Sequence, residues 1–314
     1  MWLTEGSHSV SVVCILAKNN KMGRWIEAMR LRTLPVSVAG VVAAAACSLM
    51  NATFSLLPTL LCLLFAMLAQ VASNFGNEYY DYKNGVDRKG REGFRRGVTE
   101  GDISPRAMMC ATYFTLAVAA VVGCLLLFYG GWWLLPVGCA IGLFALLYSA
   151  GPYPLSHHGL GDVTVVMFFG VVPVTLTCYL QQGDWSTLST SLPVSVAVGL
   201  LAANVLIVNN YRDMEDDAAV GKRTTVVIFG RKAMGWCYLF SGVVAMGLML
   251  PVLMELSLFS LFIPFVYMLL HIKTWRRITN SRGVALNPLL GETARNLLLF
   301  TLLFLLFVIL YRLF

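Results

Sequence analysis

Long apolar runs dominate this chain. Nine stretches approach the roughly 20 residues that a helix needs to cross a bilayer core of about 30 Å. They cover 34–50, 56–79, 104–128, 132–150, 162–181, 191–211, 231–254, 256–270 and 289–312. Pro35, Pro58, Pro105, Pro136, Pro193 and Pro288 lie near the starts of these runs, where a missing N–H costs little. The boundary between the seventh and eighth is soft and is marked only by Glu255. The pattern predicts an all-α, polytopic membrane bundle of about nine transmembrane helices.

The polar positions sort by side. Lys and Arg fall before the first run, in the second-to-third, sixth-to-seventh and eighth-to-ninth connections, and at the C-terminus as Arg312. The intervening connections carry none. The positive-inside rule then puts the N-terminus in the cytoplasm and the C-terminus outside, in a cell inner membrane. Residues 1–17 are apolar only over Val10–Ala17, too short to span, and no positive segment precedes them as in a signal peptide. Met22 opens an amphipathic run suited to the interface and is an alternative start. Residues 1–22 are therefore read as an N-terminal extension, which a start at Met22 would leave untranslated up to residue 21, and 23–314 as a single transmembrane domain.

Composition narrows the classes. The chain is 58% hydrophobic and 12% charged, against about 45–50% and 25% in soluble domains. A soluble enzyme and a disordered chain are both excluded. The net charge of +7 suits anionic lipid or an anionic substrate. Its scatter among apolar spans gives no reason to expect nucleic acid. The eight cysteines form no C-x-x-C pair and read as small buried hydrophobes.

The acids carry the chemistry. Of 16, only Asp184 and Glu255 fall in outside connections. Two clusters stand out: Asn74, Asn77, Glu78, Asp81 and Asp87 at the end of the second run, and Asn209, Asn210, Asp213, Glu215, Asp216 and Asp217 at the end of the sixth. Carboxylates three or four apart share a helix face and repel, and a helix C-terminus also disfavours anions. Both penalties, met twice, call for a cation. Oxygen-only donors suit Mg²⁺, which typically binds one or two carboxylates plus substrate phosphates. Lys83, Arg95, Arg96, Arg212, Lys222 and Arg223 flank the clusters and are able to bind phosphate oxygens, although topology alone also accounts for such cations. The four-span separation of the clusters suggests two four-helix halves plus one helix, with both clusters over one cavity.

At these residues the chain resembles the UbiA superfamily of intramembrane aromatic prenyltransferases, and most of all the branch that prenylates 1,4-dihydroxy-2-naphthoate. The likeness runs over about residues 24–312. It is carried by Arg30-Leu-Arg32-Thr33-Leu34-Pro35, by the N-x-x-N-[D/E]-x-x-D-x-x-x-G-x-D pattern from Asn74 to Asp87, and by Ser104-Pro105. It is also carried by Tyr148-Ser149-Ala-Gly151-Pro-Tyr153, Gly159-Leu-Gly161-Asp162, Phe168-Phe-Gly170, Asn209-Asn210-Tyr-Arg212-Asp213-x-x-x-Asp217 and Gly221-Lys222-Arg223-Thr224. The family usually has Asn-Asp where this chain has Asn77-Glu78. His157-His158 is not part of the pattern and reads as loop surface. Asp162 reads equally as a helix N-cap or a functional group.

The resemblance implies transfer of a polyprenyl group from its diphosphate to the naphthoate ring, with loss of CO₂, giving demethylmenaquinol in menaquinone synthesis. It implies Mg²⁺ held by Asn74, Asn77, Glu78, Asp81, Asp213 and Asp217, with Asp87 a further member; Asp81, Asp213 and Asp217 are the catalytic acids. Lys222, Arg223, Tyr148 and Ser149 become candidates for diphosphate, and Arg30 and Arg32 for the acceptor carboxylate, with Arg32 equally an interfacial anchor. The expected partners are a polyprenyl diphosphate, an aromatic acid and the lipid bilayer. A sister enzyme with another aromatic acceptor is the nearer rival. A cation-coupled transporter is the remoter one, since carriers place ionisable groups near the midplane and here they sit at one end of the runs.

Overall fold

The computed structural model describes residues 21–90 and 93–313; residues 1–20 of the expected N-terminal extension lie outside them. Every regular element among the described residues is helical. An amphipathic helix α1 (Lys21–Met29) leads into α2 (Leu34–Met50), α3 (Leu56–Lys83), α4 (Pro105–Gly130), α5 (Leu134–Leu147) and α6 (Gly161–Gln182). There follow α7 (Leu188–Ala219), α8 (Thr225–Leu256), α9 (Phe262–Thr279) and α10 (Asn287–Leu313). Eight of the nine apolar runs form helices long and apolar enough to cross a membrane, α2 being taken with the α1 segment that leads into it. The exception is α5, with 14 residues, or about 21 Å at 1.5 Å per residue.

Despite its length, α5 joins the two ends of the bundle. At its start Trp133 donates Nε1–H to the Tyr179 hydroxyl (3.0 Å) near the end of α6. Just beyond its last turn Ser149 donates to Asn77 Oδ1 on α3 (2.8 Å). The chain is a multi-pass membrane protein.

Helices associate here through close approach, because lipid offers no hydrophobic drive between them. In α2, Ala39, Gly40, Ala43, Ala44 and Ala46 are buried. In α6, Gly170 lies so near α7 that a Cβ would stand 2.4 Å from Gly199 Cα and from the Ser195 carbonyl oxygen. A π-helical segment, Val166–Val171, interrupts α6 at this crossing. Phe168 and Phe169 of that segment both line a cavity of about 410 Å³ bounded by α2, α3, α4, α5 and α6. Its wall is apolar, with Phe65, Gly123, Gly138, Gly142 and Leu176. Ser37, Gln70, Ser73, Tyr148 and Thr164 bring polar atoms to it. The α7–α10 side packs against α2 and α6 in the largest hydrophobic core.

The cysteines divide. Cys47, Cys62 and Cys178 are buried as expected, whereas Cys110, Cys124, Cys139 and Cys237 are exposed. In a bundle whose outer surface is itself apolar, an apolar neighbourhood in sequence does not place a thiol inside.

Candidate active site

Both acidic clusters ride on helices that overrun their apolar runs. With 28 and 32 residues, α3 and α7 are about 42 and 48 Å long, well beyond the apolar core. Their last turns carry Glu78, Asp81, Asp213 and Asp217, all buried. Gly85 (φ +69°) then reverses the chain. A glycine accepts this left-handed turn without penalty, and it returns the Val86 and Asp87 amides to the Asp81 carbonyl at 2.9 and 3.3 Å. The glycine in the first motif thus serves to fold Asp87 back beside Asp81.

The two clusters meet at one end of the bundle. His157 Nε2 stands 3.9 Å from Asp81 Oδ1, while the His157 carbonyl accepts from the Arg223 amide at 2.9 Å. Lys222 Nζ lies 3.6 Å from Asp217 Oδ1 and within electrostatic reach of Asp81. Val86 and Arg88 share a small cleft with Asp216 and Asp217. Arg212 grips Asp213 with both arms of its guanidinium, Nε to Oδ1 at 2.6 Å and Nη2 to Oδ2 at 2.7 Å. It also donates to Asn209 and Asn287, each at 2.9 Å. A buried carboxylate pair held this way is oriented as well as neutralised.

The remaining expected residues take distinct places. Asn74 faces the α1–α2 hinge, donating to the Met29 carbonyl at 2.9 Å, and Gln70 donates to it at 3.2 Å. Asn77 receives Ser149. Glu78 Oε1 accepts from the Val98 amide at 3.0 Å. Asp87 Oδ2 pairs with Arg96 Nε at 3.3 Å. Arg30 has a left-handed backbone (φ +52°) and acts electrostatically on Glu78, Asp81 and Tyr148. Arg32 is exposed and stacks on Phe94, 3.3 Å from its ring centre. Tyr148 lines the cavity within electrostatic reach of Asp162, Asp81 and Asp217. The Arg223 side chain is exposed; its backbone holds His157. Asp162 sits in the first turn of α6 without capping it and accepts from Thr225 Oγ1, tying α6 to α8.

Two contributors escaped the sequence reading. His157, taken for loop surface, reaches Asp81. Phe94 lies between Arg32 and Arg212, whose guanidinium is 4.9 Å from its ring centre. No spacing rule reaches either: His157 ends a short 3-10 turn, Leu155–His157, and Phe94 lies in a loop, and the course of both is set by long-range contacts.

Chemically, this is a cluster of buried carboxylates and cations linked through Tyr148 to a largely apolar chamber. Over residues 34–300 the chain matches the UbiA prenyltransferase family. The chain belongs to that family. It is 33% identical over 301 residues to a 1,4-dihydroxy-2-naphthoate octaprenyltransferase of Escherichia coli, covering 90% of this chain and 94% of that one. An enzyme of the same name from Mycobacterium tuberculosis is 34% identical over 66% of this chain and 70% of its own. Among solved structures, an apo UbiA homolog from Aeropyrum pernix superposes with a TM-score of 0.69 at 15% identity, covering 90% of this chain and 98% of that one. A UbiA homolog from Archaeoglobus fulgidus bound to GPP and Mg²⁺ gives 0.64 at 16%, covering 90% and 99%. These likenesses establish the UbiA fold for this family member.

Proposed function

We propose that this chain transfers a polyprenyl group from its diphosphate to 1,4-dihydroxy-2-naphthoate, with loss of CO₂, in menaquinone synthesis. The observation that carries the reading is the meeting of both acidic clusters with His157, Lys222 and Arg30 beside the apolar cavity. The named octaprenyltransferases, one third identical over most of the chain, support the acceptor.

The donor set fits Mg²⁺. Asp81, Asp213 and Asp217 are buried oxygen donors on two facing helix ends, and Asp81 Oδ1 has no hydrogen-bond partner among the described residues. No three His, Cys, Asp or Glu side chains among the described residues form a cage by themselves. That suits an ion completed by phosphate oxygens. We assign the ion to these three aspartates, with Asn77 and Asp87 beside them. When bound, Mg²⁺ supplies Lewis-acid stabilisation of the departing diphosphate.

The chain's own residues do the rest. Lys222 and Tyr148 face the phosphates, while Ser149 orients Asn77. Arg223 acts through its backbone, fixing His157. Arg212 fixes the rotamer of Asp213. The apolar cavity takes the prenyl chain and keeps water from an allylic cation. Arg30 is assigned to the acceptor carboxylate, whose burial would otherwise leave an unpaired charge. The C–O bond of the donor breaks with its electron pair leaving on diphosphate, and a C–C bond forms at the carboxyl-bearing carbon. The electrons of the C–CO₂ bond then restore the aromatic ring. Starting from the carboxylate, the balance needs no external base, which agrees with a site whose acids serve binding. The cation-rich connections support a site on the cytoplasmic face of the cytoplasmic membrane.

The test offers purified protein one prenyl diphosphate and several aromatic acids, and reads product masses. A prenylated naphthalenediol lacking the carboxyl group is expected. Prenylation of 4-hydroxybenzoate alone would move the chain to a sister activity.

A further inference from the structure

We propose that Glu78 is not a metal ligand but the anchor of a clasp, residues 93–103, that joins the two sides of the site. It is a positioning residue, and the proposal rests on the metal-diphosphate reading above.

Glu78 is 1% exposed, and one oxygen of its carboxylate is engaged by backbone. Oε1 accepts from the Val98 amide at 3.0 Å. Gly97 is pressed so close that a Cβ there would lie 3.4 Å from the same oxygen. Asp81, one turn on, faces His157 instead. The two carboxylates therefore leave α3 toward different neighbours despite their three-residue spacing. The extra methylene of Glu makes this reach possible. An aspartate would fall short by about one C–C bond, ~1.5 Å, too far for a hydrogen bond.

The clasp is a built unit. Its turns close through Glu100 N–H to the Arg96 carbonyl at 2.9 Å, and through Asp102 and Ile103 N–H to the Gly97 carbonyl at 2.8 and 3.0 Å. Asp102 pairs with Arg24 of α1 at 3.5 Å and also with Arg95. Val98 and Ile103 pack with Ala28, Phe75 and Met108 in a hydrophobic cluster of their own. What the clasp delivers is functional. It brings Arg96 to Asp87, and it seats Phe94 between Arg32 before α2 and Arg212 on α7. Arg212 in turn holds Asp213. Glu78 is thus the point where α3 fixes a loop that reaches both acidic clusters.

The test uses the full-length protein with Glu78→Gln, Glu78→Asp and Glu78→Ala, and Asp81→Asn as comparator. Three quantities are read: amide exchange of residues 94–103 without metal, binding of Mn²⁺ alone by electron paramagnetic resonance, and kcat and KM for prenyl diphosphate. Gln keeps an acceptor oxygen of the right reach. It is expected to keep the clasp protected, to bind Mn²⁺ as the parent does, and to retain activity within a few-fold. Asp and Ala strand the Val98 amide, and exchange there should quicken about ten-fold or more, with KM for the diphosphate rising more than kcat falls. The reverse order overturns the proposal: Glu78→Asp binding Mn²⁺ normally, with Glu78→Gln losing it as Asp81→Asn does. If Asp81→Asn itself binds Mn²⁺ and turns over normally, the metal reading fails instead, and the order of exchange rates still decides the clasp.

Discussion

At the residue scale, the site is a set of buried carboxylates and cations partly paired with one another, and each has a separable role. Asp81→Asn and Asp213→Asn should each lower kcat by roughly 100-fold or more, the usual cost of removing one key electrostatic stabiliser. Asp81→Asn should remain as stable as the parent in thermal unfolding in detergent, whereas Asp213→Asn leaves the buried Arg212 guanidinium without its carboxylate and should unfold at a lower temperature. Normal turnover by either variant at low Mg²⁺ would remove it from the site. Arg30 allows a sharper experiment. Its left-handed backbone costs an L-residue of order 1–3 kcal/mol, a strain that glycine does not bear. Arg30→Gly is therefore expected to hold or raise the unfolding temperature while raising the naphthoate KM far more than the diphosphate KM. A variant that unfolds early, or that moves only the diphosphate KM, removes the acceptor role. The acids stood out in the sequence because like charges at helical spacing advertise an unmet need; Arg30 came forward only as a cation off the acidic loops within the motif that carries the resemblance. The partners of those acids were not. Glu78 and Asp81 share a spacing but not a destination, and only the course of the 93–103 loop separates them.

At the scale of elements, hydropathy located the nine runs but not their helical limits, because the end of an apolar run is not the end of a hydrogen-bond ladder. So α3 and α7 continue into the polar motifs and make them rigid. The run 231–254 began where it did for a physical reason: Gly230 (φ +78°) breaks α8 there. The short helix α5 ends early at Leu147, leaving Tyr148 and Ser149 in the turn that faces α3. The α6–α7 crossing had no sequence signal beyond two glycines. Its tolerance can be measured. In Gly170→Ala the new Cβ meets backbone atoms of α7 at 2.4 Å, which cannot move aside as a side chain would. Overpacking of this kind costs about 1–3 kcal/mol, so a clear fall in unfolding temperature is expected. A variant as stable as the parent would mean that the helices separate freely at this crossing. Opposite Gly142, a cavity-lining glycine, a Cβ would meet nothing within 4 Å. Gly142→Leu should therefore fold normally but fill part of the chamber. It is expected to raise KM for long prenyl diphosphates and to spare a ten-carbon one. Equal effects on both would place the chain elsewhere.

At the scale of the whole molecule, orientation in the membrane decides which compartment supplies the substrates. The two ends differ in chemistry. One collects both acidic clusters, the clasp and the cation-rich connections, with Arg231 on Glu215 and Arg277 on Glu292. The other is nearly free of charge: Trp133, Tyr179 and Trp185 stack there, as aromatic belts do at an interface, and Arg312 caps the Leu49 and Met50 carbonyls. Arginine and lysine resist translocation, which favours the charged end in the cytoplasm; there a polyprenyl diphosphate and an aromatic acid would reach the acids without carrying charge across the membrane, and labelling tests that orientation. In a background with the eight native cysteines replaced, single cysteines within 81–104 and 213–230 should resist an impermeant maleimide in intact cells and react once the cells are opened. Cysteines within 183–189 should react from outside. Because α5 joins the two ends, nine helices put the chain termini on opposite sides, so a cysteine added after residue 314 should label from outside while one placed at 22 does not. The opposite labelling at both loops would invert the bundle and put the prenyl transfer site outside. Labelling at 314 that matches 22 would mean that one of the nine helices, with α5 the first suspect on length, does not cross.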